Sequence, residues 1–303
     1  MVDEAANSEK QRSRGAVYVV LLLVQLGFAS GAVESKLAMM PAALGGGGVV
    51  PFSLAMARML GACALFHSLA LVQGTPLRVS MREQMRFAGL GLLGVVLNQA
   101  FFAIGVHKTQ PVTAALIGAT VPIFTATIAI LSGQERSRVT LWIGLALALG
   151  GVAILTGVGS IDEGALYIVA MALVYSGYFV MARSALAKHA PMTVMTWMFT
   201  WGTLMFAPFA LPQLIDDVQS WSPRAFVLVG YVIVATSFIG YIGYAWALKR
   251  IRASAVAGFI FLQPLIVAII SAVQLGDRVT TRMIGAAVFI VAGMAISNRG
   301  RTE

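Results

Sequence analysis

The chain has 303 residues, of which 59% are hydrophobic and only 11% charged, with a formal net charge of +9. A soluble domain carries about 25% charged residues, so this composition excludes a soluble globular protein and points to an integral membrane protein. The apolar stretches run to ~20 residues, not to the ~10 residues of alternating strands, which selects helices over a β-barrel. The single cysteine, Cys63, excludes an intrachain disulfide and a cysteine-based metal site.

Residues 1–15 form a polar, charged tail with Lys10, Arg12 and Arg14 just ahead of the first apolar run. No short apolar segment with a small-residue cleavage site precedes that run, so no cleaved signal peptide is expected. The apolar runs then fall at 16–40, 50–73, 85–106, 112–132, 139–157, 164–187, 191–211, 224–248, 253–274 and 281–297. These are ten candidate spans with short connections, which leave no soluble domain to carry separate chemistry. Gly45 to Gly48 with Pro51 marks the turn between spans one and two, and Ser220 to Pro223 the turn before span eight.

The basic residues sort by side. With the N-terminus inside, fifteen Lys and Arg fall on inner segments and five on outer ones (Lys36, Lys108, Arg224, Arg278, Arg282), while Arg58 lies within a span. Basic residues concentrate on the cytoplasmic side of membrane proteins, so both termini are expected in the cytoplasm. The same bias accounts for the positive charge without nucleic-acid binding.

The chain also repeats itself. At an offset of 142 positions (245 less 103), Ala103 meets Ala245, Pro122 meets Pro264, Glu135 meets Asp277, Arg136 meets Arg278 and Gly151 meets Gly293. Scattered Ala and Ile matches follow from composition alone, but a shared proline, acid and arginine at one offset indicate an internal duplication. We divide the chain into a first five-span repeat over 16–157 and a second over 158–303. Five is odd, so the second copy must enter the membrane from the opposite side. The expected fold is therefore all-α, with ten transmembrane helices as two inverted five-helix repeats. Inverted repeats underlie alternating-access transporters whose substrate sites lie near mid-membrane between the halves.

These features resemble the EamA-type ten-span exporters of the drug/metabolite transporter superfamily. The resemblance rests on the paired five-span units, on Pro122 followed by Glu135 and Gly144, on Pro264 followed by Asp277 and Gly285, and on Arg58 in span two. The Trp-Gly or Trp-Ala pair common in that family's first span is here Leu26-Gly27. Within the family the chain is most similar to the aromatic amino acid exporters of Gram-negative inner membranes. That similarity implies an aromatic amino acid as the small-molecule substrate, a bacterial inner-membrane location and no cofactor.

Several residues stand out. Pro122 and Pro264 each lack a backbone donor and clash with the preceding turn; they serve as hinges shaping a cavity or as simple packing kinks. Glu135 and Asp277 precede spans five and ten, where a carboxylate suits the positive end of a helix dipole. Both are expected to be structural acids, with proton coupling as the alternative. Arg58 lies about eight residues from the outer end of span two, roughly 12 Å deep at 1.5 Å per residue. A charge at that depth requires a partner or a wet cavity: a substrate carboxylate, Glu34, or the interface reached by snorkelling. Aromatic and amide side chains within the spans complete the candidate substrate site, because rings stack on a planar substrate while amides and hydroxyls orient it. They are Asn98, Gln99 and Phe102 in span three, Tyr175 and Tyr178 in span six, Tyr241 and Tyr244 in span eight, and Phe259 and Gln263 in span nine. The histidines His67, His107 and His189 are scattered and suggest no metal. Oligomeric state is not legible, and lipid is the surrounding partner.

The expected function is secondary transport: export of small organic metabolites, aromatic amino acids foremost, by alternating access. No phosphate-binding loop of the Walker type is present. The alternatives are another metabolite or a flat xenobiotic, a channel, or an intramembrane enzyme. The last would need a nucleophile and base within reach, and no such pairing is evident.

Overall fold

The structure, a computed structural model, describes residues 2–108, 117–156, 163–275 and 281–297. Among these residues the regular secondary structure is entirely helical. Six helices are long and apolar enough to cross a membrane: Gly15–Met39, Pro51–Val72, Met81–Phe102, Glu163–Leu186, Pro191–Ser220 and Pro223–Leu248. They correspond to spans one, two, three, six, seven and eight. Shorter apolar helices at Val121–Leu131, Val139–Ile154, Ala253–Val267 and Ile284–Ser297 occupy the places of spans four, five, nine and ten. Span seven runs further than its apolar pattern suggests, as helix over Pro191–Asp217 with Pro208 and Pro212 inside it.

The duplication is visible in the backbone. Span three opens on Ser80, whose hydroxyl accepts from the Glu83 N–H, and span eight opens on Ser222, whose hydroxyl accepts from the Ala225 N–H. The two caps lie 142 positions apart (222 less 80). Each satisfies one of the orphan N–H groups at a helix start. Both spans then widen into π-helix, over Leu92–Leu97 and Ile233–Gly240. The sequence pattern anticipates neither segment, since hydropathy is blind to the phase of a hydrogen-bond ladder.

Spans four and nine are interrupted. Span four breaks at Ala119 and Thr120 and restarts as Val121–Leu131. Span nine runs as Ala253–Gly258, a 3₁₀ turn over Phe259–Phe261, then Leu262–Leu275. Pro122 and Pro264 explain both places. A proline removes the bond to residue i−4 and crowds its carbonyl, which puts the disturbance at Gly118 and Ile260.

Packing follows a pseudo-twofold. Span one packs on span eight, and span six packs reciprocally on span three; span two meets span seven, and span five meets span ten. The last pair fixes the relative direction of the halves. A Cβ built on Gly293 would lie 2.6 Å from the Gly144 carbonyl oxygen, and one built on Gly151 would lie 2.9 Å from that of Ala286. By the repeat offset Gly293 is the counterpart of Gly151, and Ala286 of Gly144. The two contacts are therefore one contact seen from each copy, with an early residue meeting a late one both times. That is antiparallel packing, as an inverted repeat requires.

Contacts at the helix ends sort into two opposite faces. On one, His189 Nε2 lies 3.1 Å from Glu83 Oε2, and Ser254 N–H donates to Glu135 Oε1 at 3.1 Å. On the other, Arg224 donates to the Gly45 carbonyl at 2.6 Å, the Val50 N–H donates to Asp217 at 3.0 Å, and Lys108 pairs with Glu163 at 2.7 Å.

Two measurements check this architecture. With Cys63 replaced by serine, single cysteines at Arg136 and Ala43 should be labelled by a membrane-impermeant maleimide from opposite sides; labelling of both from one side contradicts the alternation. Gly293→Leu should lower detergent-micelle stability by about 1–3 kcal/mol, because overpacking a tight contact forces backbone apart. An unchanged melting curve would show that the glycine seam is not close-packed.

Candidate substrate site between the repeats

The four predicted tyrosines converge where the two copies meet. Tyr175 and Tyr178 of span six stack with ring centroids 5.6 Å apart and planes 10° apart. Tyr178 lies 6.1 Å from Tyr241 of span eight, and Tyr244, one turn on, stacks at 5.3 Å on Phe28 of span one. Phe199 of span seven meets Tyr241 edge-on at 5.1 Å, and Phe66 of span two meets Phe199 at the same 5.1 Å. Edge-to-face and offset geometries of this kind add about 0.5–1.5 kcal/mol per pair beyond area burial. Tyr178 and Tyr244 are wholly buried.

The π-helical turns bring backbone to this cluster. Gly94, within the first of them, leaves room for the Tyr178 ring: a Cβ there would sit 2.5 Å from Tyr178 Cδ2. The Gly94 carbonyl accepts from the Tyr241 hydroxyl at 3.0 Å. In the second, the Thr236 hydroxyl donates to the Val232 carbonyl at 2.6 Å. Hydroxyls thus serve backbone carbonyls where the helical ladder changes phase.

Arg58 reaches across from span two to the second π-helical segment. Its Nε donates to Ser237 Oγ at 3.0 Å and its Nη2 to Thr236 Oγ1 at 3.2 Å. The expectation left Glu34 open as a partner, but no ion pair forms between the two. Among the described residues the guanidinium is held by neutral hydroxyls alone.

A second polar chain, missed at the level of sequence, runs through Gln25 of span one. Gln263 Nε2 donates to Gln25 Oε1 at 2.8 Å, and Gln25 Nε2 donates to the Tyr244 hydroxyl at 2.8 Å. The chain ties spans nine, one and eight directly beside the Pro264 interruption. A lone glutamine in the apolar run of span one was the available signal.

The remaining candidates divide. Asn98 is buried and Gln99 half-buried at the restart of span three, whereas Phe102 is 43% exposed and joins none of these contacts. Phe259, in the 3₁₀ turn of span nine, is buried 5.7 Å from Tyr18. Pro122 is buried at the restart of span four, and the Val121 carbonyl beside it accepts from Ser176 Oγ of span six at 3.0 Å.

Glu135 caps a helix, but not the one that follows it in the chain. Both of its oxygens accept from Ser254, one from the backbone N–H and one from the hydroxyl. Ser254 lies in the first turn of span nine, so the acid of one copy caps a helix of the other. Asp277 lies outside the described residues. His189 faces Glu83, and His67 sits beside Cys63 and Thr200 at the span two–span seven contact. No group of three metal-binding side chains occurs among the described residues.

The sequence profile described as the EamA-like transporter family matches the chain twice, over residues 16–157 and 162–299. The chain belongs to the EamA-like transporter family. It is therefore a multi-pass membrane transporter of small molecules and not an enzyme. Among curated relatives, an uncharacterized transporter of Bacillus subtilis is 27% identical over 82% of this chain and 82% of its own. An uncharacterized transporter of Archaeoglobus fulgidus is 24% identical over 75% and 81%. A probable terminal-alkyne amino-acid exporter of Streptantibioticus cattleyicolor is 24% identical over 73% and 75%. A solved crystal structure shares the fold at a TM-score of 0.77, with 18% identity over 94% of this chain and 96% of that one.

The cross-repeat cap of this EamA protein is testable. Glu135→Ala should cost about 0.5–2 kcal/mol, the usual range for losing a helix N-cap, and should speed maleimide labelling of a cysteine placed at the buried Ala255. Glu135→Asp should fall between. Labelling rates identical across all three would show that the contact does not hold the copies together.

Proposed function

We propose that this protein exports aromatic amino acids from the cytoplasm across a bacterial inner membrane by alternating access, with both termini inside. The observation that carries the reading is Arg58, which among the described residues is held by neutral hydroxyls and no carboxylate, on the span-eight segment that leads into Tyr241 and an aromatic cluster shared by both repeats. A guanidinium is the donor best matched to a carboxylate, and rings suit a planar side chain. The similarity to a probable amino-acid exporter agrees with an amino-acid substrate, and the skew of basic residues agrees with the orientation. In this reading Pro122 and Pro264 mark where spans four and nine flex, and the substrate occupies the region lined by Tyr175, Tyr178, Tyr241, Tyr244 and Gln263. Interrupted helices at a repeat interface are the usual makings of a transporter site.

Proteoliposomes loaded with labelled phenylalanine, tyrosine or tryptophan should release them faster than empty-lipid controls. Arg58→Ala should reduce that flux by about tenfold or more, the size expected for losing a charge-assisted hydrogen bond. Lys108→Ala, at an exposed end, should change it little. No flux of any of the three amino acids would remove the aromatic assignment, and equal effects of the two substitutions would make Arg58 structural.

A further inference from the structure

Among the described spans the basic residues Lys36, Arg82, Arg86, Arg183 and Arg224 lie toward the helix ends, as do the acids Glu34, Glu83, Glu163, Asp216 and Asp217, whereas Arg58 lies well inside Pro51–Val72. The guanidinium carries five N–H donors, and its two hydrogen bonds go to the neutral oxygens of Ser237 and Thr236. The Thr236 hydroxyl spends its own proton on the Val232 carbonyl, and Tyr241 spends its proton on Gly94. Among the described residues no carboxylate pairs or hydrogen-bonds with Arg58. A cation withdrawn from water without a counter-charge is costly, so the group that completes the site is an anion. A planar, two-oxygen acceptor fits the guanidinium fork.

An ammonium group set beside Arg58 would face a like charge, and among the described residues no carboxylate is bonded there to offset it. From this juxtaposition we infer that the site recognises its substrate by the carboxylate and not by the amino group, so that the substrate class extends to aromatic monocarboxylates lacking any amine and excludes aromatic amines. This rests on the reading of the Arg58 neighbourhood as the substrate site. It goes beyond amino-acid export, because the amino group becomes dispensable.

A matched ligand series separates the possibilities. Purified full-length protein in detergent micelles is melted with 3-phenylpropionate, phenethylamine or 3-phenyl-1-propanol at equal concentration. The acid should raise the Tm, and the amine and alcohol should leave it unchanged. Arg58→Gln should abolish the shift. Arg58→Lys, which keeps the charge but loses the fork, should weaken the apparent affinity for the acid by about tenfold. The inference is overturned if the amine stabilises as well as the acid, if the acid gives no shift at millimolar concentration, or if its shift survives in Arg58→Gln. Should Arg58→Gln fail to fold, the wild-type series and Arg58→Lys still decide. Phenylalanine flux from proteoliposomes distinguishes the two readings. Flux without acid-selective stabilisation leaves aromatic amino acid export standing and sinks this inference. Acid-selective stabilisation without phenylalanine flux does the reverse.

Discussion

The hydrocarbon core of a bilayer offers no water to a backbone carbonyl or amide, so any departure from regular helix must be served by protein. This chain departs from regular helix in spans three, four, eight and nine. In spans three, four and eight a side chain bonds backbone at or beside the irregular segment, and at the start of span nine an acid does so; several of these partners come from the other copy. Ser176 serves Val121, Tyr241 serves Gly94, and Glu135 serves the Ser254 amide. The irregular backbone is thereby confined to the surface where the copies meet. That surface is also where the aromatic and amide side chains gather.

Duplication supplies the frame, and departures from it supply the chemistry. The serine caps, the π-helical segments and the proline-linked interruptions all recur in both halves. Arg58 does not: its counterpart 142 positions on is Thr200. Gly94 likewise faces Thr236 across the duplication, so that one copy offers a bare carbonyl and the other a hydroxyl. The result is a nearly symmetric scaffold around a chemically one-sided centre.

Much of this was legible in the residues. Ten apolar runs become helices at or near their expected places, because length and hydropathy are what a bilayer selects. Pro122 and Pro264 announce the interruptions of spans four and nine through the loss of a single N–H. Arg58 announces itself as a charge within an apolar run. Other features were not legible. The π-helical segments leave no mark on hydropathy. The partner of Glu135 lies 119 residues away in the chain, and only the folded packing reveals that it caps the other copy's helix. Gln25 was overlooked because its significance comes from Gln263 and Tyr244, which share no local pattern with it. Phe102 has the right residue type and span, but the turn of its helix directs it away from the cluster.

The seam between spans five and ten carries a structural meaning. Where Gly144, Gly151 and Gly293 bring main chain against main chain, the side chains that enter the seam, such as Ile290 against Gly151 and Ala148 against Gly293, meet glycine rather than a facing side chain. Spans two and seven, by contrast, mesh through Phe52 with Phe206 and Phe66 with Phe199. The two seams thus differ in kind, one laying backbone against backbone and the other setting ring against ring, so that the halves approach most closely on the glycine side.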